Sequence, residues 1–432
     1  MSEKYDVIVV GAGPAGVTTA YLTAKAGLKT ILFERGDHPG AKNVMGGVLY
    51  RKPTEDVIAN FWKEAPLERH VIEQNLWILD KNSVVKAGYR TKAQDQEPYN
   101  AFTVFRSRFD RWFAQKAVEA GALLITETVV EDLIWDNHFV VGVKTGRPQG
   151  DVYGSVVVLA EGVNSMLTQK AGLQKDGLNT AQLAVAVKEV IALDKEKIES
   201  RFNLEEGQGA TIELVGDATM GMMGTAFIYT NTDSLSVGVG ALLSQVVRQK
   251  INPNELLEHL KNHPIVRPLL EGGETKEYLG HLIPEGGYNA IPKVYTNGVV
   301  VVGDAAQFVN GIHREGSNMA MISGKLAAET IIDAHKIGEF DERALSHYQK
   351  KLSNSFIIKD LKKYQNASGF FETNDHIFSL YPSLLNKAAE EFTTVDNVPK
   401  REKQRRIMEL VTSERSKLEI LRDIYRGWRV MG

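Results

Sequence analysis

Three glycines and an acid supply the first recognisable chemistry. Gly11, Gly13 and Gly16, in GAGPAG, lie between an apolar run from Asp6 to Val10 and a stretch with helical spacing from Val17 to Ala26. A strand, a glycine loop and a helix start in this order can cradle a pyrophosphate. The first glycine permits the tight turn, the second lets the backbone approach the phosphates, and the third lets helix and strand pack closely. The helix N-terminus adds partial positive charge at the same point. A second apolar strand, KTILFE, ends at Glu34. A carboxylate there accepts hydrogen bonds from ribose hydroxyls and repels a 2′-phosphate. All five features in sequence make a dinucleotide site, although this unit alone does not choose between FAD and NAD.

A second constellation lies far along the chain, in VVVVGDAAQFVNGIHREGSNMAM, residues 299 to 321. The four valines read as a buried parallel strand running into Gly303 and Asp304. Helical spacing resumes after Gly316, with Ser317 or Asn318 as the expected cap. His313 and Arg314 sit between, either to place positive potential on a ligand edge or simply as loop residues paired with Glu315 or another acid. Two further segments join the pattern. RSRFDRWFAQKAVEAGALLITETVVEDLIW reads as a helix with Phe109, Trp112, Phe113 and Ala117 on one side, followed by a strand. GSVVVLAEGVNSML reads as a buried strand ending at Ala160, Glu161 and Gly162. Several strand ends converging on one extended ligand suit a flavin dinucleotide.

The elements that position these residues need a large globular framework, and the composition allows one. The sequence has 432 residues, 43% hydrophobic and 24% charged, with a net charge of −3, enough for two or three packed units. No cationic excess or zinc spacing points to nucleic acid. The start, MSEKYDVIVV, lacks the charged and apolar regions of a signal peptide, and no apolar run approaches the ~20 residues of a membrane span. A cytoplasmic protein is expected. With no cysteine, the sequence excludes disulfides, a thiol nucleophile and a cysteine-ligated iron–sulfur cluster of its own. The ten histidines show no metal-ligand spacing, so no metal is expected.

Residues 180 to 290 read as an inserted substrate domain, with strand-like alternation in AQLAVAVKEVIAL, GATIELVG and GTAFIYTNTDSLSVGVGALL. The stretch TMGMMGTAFIY fits either a pocket for an apolar ligand such as a quinone or a core strand. Residues 341 to 432 read as helical. From Lys400 the tail holds ten Lys or Arg against five Asp or Glu. Ile407, Leu410, Val411, Leu418, Leu421, Ile424, Tyr425 and Trp428 fall mostly on one helical face. Such a basic amphipathic helix suits a membrane surface, a partner, or packing on its own domain.

GAGPAG, Glu34, RSRFD, AEGVNS and VVGDAA, in that order, resemble the flavoprotein group of aromatic hydroxylases and geranylgeranyl reductases. Within it, GAKNVMGGVLY and HREGSNMAM are similar to the electron-transfer flavoprotein:quinone oxidoreductases of the FixC type. The resemblance spans at least residues 1 to 340. It implies an α/β protein with a Rossmann-like FAD-binding domain of the glutathione-reductase/hydroxylase type, an inserted antiparallel-sheet substrate domain and a helical C-terminus. The implied division is 1–76, 105–179 and 291–340 for the FAD-binding domain, 77–104 for substrate-side strands, 180–290 for the quinone domain and 341–432 for the helical region.

By the same resemblance, Gly11, Gly13, Ala15 and Gly16 line the pyrophosphate, with Glu34 and Arg35 at the adenosine ribose. Arg106 stands beside the phosphates, Val130 meets adenine through its backbone, and Ala160, Glu161 and Gly162 close that side. Gly303 and Asp304 serve the ribityl chain or a phosphate-side hydroxyl. Asn43, Met45, Gly46 and Gly47, with Gly311, Gly316, Ser317 and Asn318, flank the flavin ring. The helix after Gly316 then points its positive end at the flavin edge that gains negative charge on reduction. FAD is the redox centre, so no catalytic triad is expected, and His313 and Arg314 are candidates for tuning it. The implied partners are the alpha and beta subunits of an electron-transfer flavoprotein, a ferredoxin-like iron–sulfur subunit and a quinone, in a complex able to split an electron pair from NADH. Peripheral attachment to the cytoplasmic membrane face goes with that role.

Two departures from the wider group matter. Thr168 stands where hydroxylases carry a basic residue that helps NADPH, and the reactive cysteine of the geranylgeranyl reductases is absent. An electron-transfer subunit is the leading expectation. The alternatives are a stand-alone isoprenoid double-bond reductase and a flavin-stabilised assembly subunit without turnover.

Overall fold

The strand Lys4–Val10 is buried from Val7 onward and pairs on both sides with parallel neighbours, Thr30–Phe33 and Asp151–Leu159. An unbroken apolar run is what a strand covered on both faces requires. The computed structural model describes residues 4–42, 47–174, 177 and 179–431. Val299–Val301 adds to the outer side of Asp151–Leu159, and Leu123–Ile125 adds beyond Thr30–Phe33, both in parallel. The hairpin Val130–Asp136 and Phe139–Thr145 joins antiparallel to the start of Asp151–Leu159.

Register is the consequential feature of this sheet. Val10 pairs with both Phe33 and Leu159, Leu159 with Val301, and Phe33 with Ile125. Five carboxyl ends therefore stop in one row. The chain leaves the central strand to opposite sides of it, which makes a crevice outside those ends the place where an open α/β sheet binds its ligand. The helix Pro14–Lys25 follows the first strand and packs on the helix Ser317–Ile337. The approach is close: Thr19 Oγ1 donates to the Gly324 carbonyl at 3.1 Å, and a Cβ on Gly324 would stand 2.3 Å from the Ala15 oxygen.

The chain divides into two units, one of Met1–Glu68, Asn100–Leu183 and His281–Lys362, the other of Arg69–Tyr99, Ala184–Gly280 and Lys363–Gly432. The sheet above belongs to the first. The second is built on strands Leu183–Ala192, Ser234–Leu242, Gly224–Thr230, Gln208–Gly216, His70–Asp80 and Ser83–Arg90, in that spatial order. All pair antiparallel except Gln208–Gly216, which runs parallel to His70–Asp80. Its core gathers Leu79, Ile212, Leu214, Ile228, Val237 and Val239 with Ile198, Leu256, Leu257 and Leu260 from helices. The boundary expected between residues 76 and 77 falls instead between 68 and 69. His70–Asp80 is one continuous strand with partners along its whole length, so no cut through its middle is physical. In TMGMMGTAFIY, Met222, Ala226 and Ile228 are buried in this core and Met220 packs against it, while Met223 and Thr225 stay half-exposed.

The tail is two helices, Lys400–Glu414 and Lys417–Met431, not the one continuous amphipathic helix read from residue 400 onward. Ser416 and Glu419 exchange reciprocal bonds, Ser416 N to Glu419 Oε2 at 2.9 Å and Glu419 N to Ser416 Oγ at 3.3 Å. That capping box starts a new helix at a point where periodicity alone runs on. The buried residue of the last helix is Asp423, which accepts from Tyr381 at 2.7 Å and lies 2.9 Å from His376 and 2.8 Å from Arg415. Among the described residues no helix is long and apolar enough to cross a membrane.

Removing one member of such a cluster strands the others. Asp423→Ala should destabilise the second unit by about 2–3 kcal/mol, below the full cost of breaking a buried pair because Arg415 and His376 keep some solvent. Denaturant unfolding measures the loss, and limited trypsin digestion should cut at Arg422 and Arg426 sooner than in the wild type. An unchanged digestion pattern would show that the helix is held by something else.

Candidate functional site

At the row of strand ends the three motif glycines do different work. Gly11 has φ of 102°, and a Cβ there would fall 2.3 Å from the Ala160 carbonyl oxygen. A Cβ on Gly16 would fall 1.9 Å from the Gly11 oxygen. Both are demanded by the packing of the protein itself. Gly13 is not: a Cβ there would meet no protein atom within 4 Å. It caps the helix Pro14–Lys25 without any side-chain capping bond. A glycine needed for nothing inside the chain, at a helix N-terminus, fits a cradle kept low for a phosphate.

Glu34 follows the second strand and is braced from both sides. Its Oε2 accepts from Ala12 N at 3.1 Å and its Oε1 from Gly36 N at 2.7 Å. The carboxylate is thus fixed against the glycine loop, with lone pairs left on each oxygen for ribose hydroxyls. Arg35 beside it is exposed. Val130 opens the strand Val130–Asp136, paired with Thr145, and the Thr128 amide donates to the Glu34 carbonyl at 2.9 Å.

Arg106 begins the helix Arg106–Glu119 and is only 10% exposed. The sequence put it beside phosphates; the structure first gives it Asp110. Nε donates to Asp110 Oδ1 at 2.7 Å and Nη2 to Oδ2 at 2.8 Å, while Nη1 donates to Ser317 Oγ at 3.0 Å. A two-pronged pair of this kind fixes the guanidinium plane. The RSRFD spacing, i to i+4 on a helix, carried that signal. Arg106 also acts on two groups the sequence reading treated differently. Burial pushes the Asp304 carboxyl up to about 6, with Arg106 pulling the other way. Burial lowers His281 to about 4, helped by Arg106 and Arg35. At neutral pH this leaves His281 uncharged, while Asp110 and the largely ionised Asp304 together balance Arg106 and Arg35.

The loop from Gly303 to Gly316 holds the least satisfied polar groups. Gln307 is fully buried, in the left-handed region at φ 63°, and neither end of its amide has a partner within the protein. Asn310 Nδ2 and Asn318 Oδ1 are likewise buried without partners. Buried polar groups rarely stay unpaired. One amide unpartnered at both ends and two at one end, on this loop and the first turn of the helix after it, are what a planar ligand with alternating donors and acceptors would satisfy, and an isoalloxazine ring is one. The loop is pinched shut by reciprocal Asn310–Glu315 backbone bonds of 2.9 and 3.1 Å. Arg314, also left-handed, acts on the half-buried carboxyl of Glu285, and His313 acts on Glu315. Glu285, Gln307, Asn310, Asp110 and His281 were not singled out from sequence, because nothing local marks them.

Two expectations need correction, and a third lies outside the described residues. Gly316, not Ser317 or Asn318, is the N-cap of Ser317–Ile337; Ser317 is engaged by Arg106 and Asn318 by Glu315. The Glu161 side chain turns away to cap the short helix Met166–Lys170, accepting from Leu167 N, Thr168 N and Thr168 Oγ1 at 2.7–2.8 Å. Burial raises its carboxyl, and those three bonds oppose the rise. Thr168 is therefore the structural partner of the Glu161 side chain, which leaves only the backbone at Ala160–Gly162 free of this role. Asn43, Met45 and Gly46 lie outside the described residues, whereas Gly47 accepts from Val104 N at 2.9 Å.

Asp304 gives a pH signature. A carboxyl raised in the folded state binds protons more tightly there than in the unfolded chain, so its contribution is greatest at low pH and is lost as pH rises through the folded value. In the flavin-stripped chain, stability should therefore fall between about pH 4 and 6 on account of this residue. Asp304→Asn should flatten that part of the profile and raise stability at pH 7 by up to roughly 3 kcal/mol. Thermal unfolding across the range tests it; a parallel, lower curve for the variant would show that Asp304 is stabilising as a charge.

Comparison with known proteins agrees with this geometry. Residues 6–160 match the FAD dependent oxidoreductase family and residues 367–432 the ETF-QO/FixC family C-terminal domain. The chain is 46% identical over 434 residues to Protein FixC of Azotobacter vinelandii, covering 100% of both chains. It is 36% identical over 408 residues to the probable electron transfer flavoprotein-quinone oxidoreductase YdiS of Escherichia coli K12, covering 94% of each. Among solved structures it is similar to a geranylgeranyl bacteriochlorophyll reductase-like protein of Thermoplasma acidophilum, with a TM-score of 0.74, 20% identity and coverage of 98% and 99%. A myxobacterial FAD-dependent chondrochloren halogenase gives a TM-score of 0.66 at 20% identity, covering 96% of this chain and 91% of that one. With its FAD-type sheet and a FixC-like sequence from end to end, the chain belongs to the FixC family of FAD-dependent oxidoreductases.

Proposed function

We propose that this chain takes electrons from an electron-transfer flavoprotein of alpha and beta subunits and delivers them through FAD to a quinone. A ferredoxin-like iron–sulfur subunit works beside it, and NADH is the donor to the whole complex, its electron pair being split on a partner. The observation that carries the reading is the stretch Gln307–Asn318, where the Gln307 amide is buried without a partner at either end and Asn310 Nδ2 and Asn318 Oδ1 are each buried without one, beyond the end of a parallel strand. FAD supplies the redox chemistry; the protein supplies position and potential.

In this reading Gly13 and the helix it caps hold the pyrophosphate, Glu34 holds the ribose, and Gln307, Asn310 and Asn318 orient the ring. Ser317–Ile337 presents its N-terminus to the ring edge and favours negative charge there. Glu161 is bonded to Thr168, so nothing at that position offers a cation to a nicotinamide phosphate. The absence of cysteine places any iron–sulfur centre on a partner. The relative from Escherichia coli named as a quinone oxidoreductase supports the acceptor.

The last helix supports a membrane face. Leu418, Leu421, Ile424, Tyr425 and Trp428 are 57–80% exposed on Lys417–Met431, with Lys417, Arg422, Arg426 and Arg429 also exposed around them. An apolar stripe flanked by cations, with a tryptophan in it, lies well in the headgroup layer of an anionic bilayer. This stripe holds only the C-terminal part of the face read from sequence.

Cofactor content tests the pocket. Gly13→Val should fold, since its Cβ meets no protein atom, yet lose FAD on purification. Glu34→Ala should weaken FAD binding by about 1–3 kcal/mol. Wild-type flavin content in both variants would remove the pocket.

Turnover tests the role. The isolated chain should oxidise NADH and NADPH poorly, whereas its dithionite-reduced form should be reoxidised by a soluble quinone. Adding the flavoprotein and ferredoxin-like subunits should restore NADH-linked quinone reduction. Leu421→Ser with Trp428→Ser should weaken sedimentation with anionic vesicles while leaving FAD bound. Rapid reduction of a prenyl double bond by the isolated chain would replace this reading with the isoprenoid reductase.

A further inference from the structure

Glu285 is a half-buried acid for which the fold alone offers no use. It follows the strand Glu274–Pro284, and its amide donates to the Gln182 carbonyl at 2.7 Å, which fixes the backbone. Its side chain reaches the ring-flanking loop. A Cβ on Gly311 would stand 2.0 Å from Glu285 Oε2 and 2.9 Å from its Cδ, so the carboxyl occupies the space that any larger residue at 311 would need. Gly311 follows Asn310, one of the three residues with unpartnered amide groups. The acid therefore lies against the same loop that is shaped for a ligand.

The charge around it is sparse. Arg314, from the far side of the loop, is the charged group acting on it. His313 and Glu315 on that loop act on each other, and Glu315 is further engaged by Asn318. His281, earlier on the strand, faces Arg106 and Arg35 and stays neutral. Some of the Glu285 surface remains accessible, yet surrounding protein strips away most of its hydration. Burial pushes its carboxyl up to about 7 against the pull of Arg314. An acid so placed is protonated about half the time at neutral pH and exchanges readily, which is the condition for efficient proton transfer.

The geometry points to Glu285 as the proton donor of this site, its carboxyl on Gly311 handing a proton to the quinone as electrons leave the flavin. This rests on the quinone reading above. Reduction of a quinone to a quinol takes two electrons and two protons. The two electrons and one proton come from the two-electron-reduced, anionic flavin. The second proton comes from Glu285: its O–H bond breaks, an O–H bond forms on a quinone oxygen, and the carboxylate left behind is reprotonated from water. Arg314 steadies that carboxylate between turnovers.

The test uses the FAD-loaded chain, reduced with one equivalent of dithionite and mixed with ubiquinone-1 in a stopped-flow instrument from about pH 5 to pH 9. The wild-type rate should fall as pH rises through about 7, where the acid loses its proton. Glu285→Gln should be at least about tenfold slower at pH 6 and lose that break, and Glu285→Asp should regain part of the rate and the break. Independently of turnover, the infrared band of protonated carboxyls in the FAD-loaded wild type should hold a component titrating near 7 that Glu285→Gln lacks. A Glu285→Gln variant with full FAD content and the wild-type rate and pH profile overturns the proposal and leaves the quinone reading intact. A wild-type chain that does not reduce ubiquinone-1 at any pH overturns both. A missing infrared component shows that Glu285 holds no exchangeable proton near neutrality, and overturns the donor role as well.

Discussion

The contact between Gly11 and the carbonyl of Ala160 is the constraint on which the rest of the FAD-type unit depends. Two parallel strands in register bring their last residues, Val10 and Leu159, side by side, and the turn after each must pass within a distance no side chain permits. Once that approach is made, the helix Pro14–Lys25 starts directly above it, and its packing on Ser317–Ile337 carries the distant loop Gly303–Gly316 to the same edge. Residues three hundred positions apart become neighbours through two close backbone contacts, at Gly11 and at Gly324.

Charge in this unit is arranged by pairing rather than by quantity. Asp110 takes most of the donors of Arg106, so the guanidinium is held in one plane, and what it projects is a fixed field. That field meets Asp304 and His281, both moved by burial toward their neutral forms. At neutral pH a neutral His281 next to a fixed cation costs less to enclose than a second positive charge would. The same economy of charge recurs at Glu285, which is kept near its point of half-protonation.

The second unit follows a different logic. Its interior is an ordinary sheet-and-helix core, and its polar cluster at Asp423 serves attachment, tying the last helix through His376, Tyr381 and Arg415. Because a polar residue makes the inward contact, the apolar residues of that helix are left facing outward. An amphipathic helix normally does the reverse.

The sequence by itself determined whatever is local. GAGPAG with its flanking strand and helix, the acid Glu34, the strand before Asp304 and the absence of cysteine were all legible, because each follows from the spacing of neighbouring residues. Family likeness extended this to FAD and to the order of the segments. Only the tertiary structure decided the rest. It assigned Arg106 to Asp110, Glu161 to Thr168, Met222 to a core and Ser416 to a helix break. It also brought forward Gln307, Asn310 and Glu285, which carry no pattern of their own. The physical reason is the same in each case: a hydrogen bond or a burial is a relation between two places in space. For these residues the partner, or the lack of one, is fixed by chain folding rather than by sequence spacing.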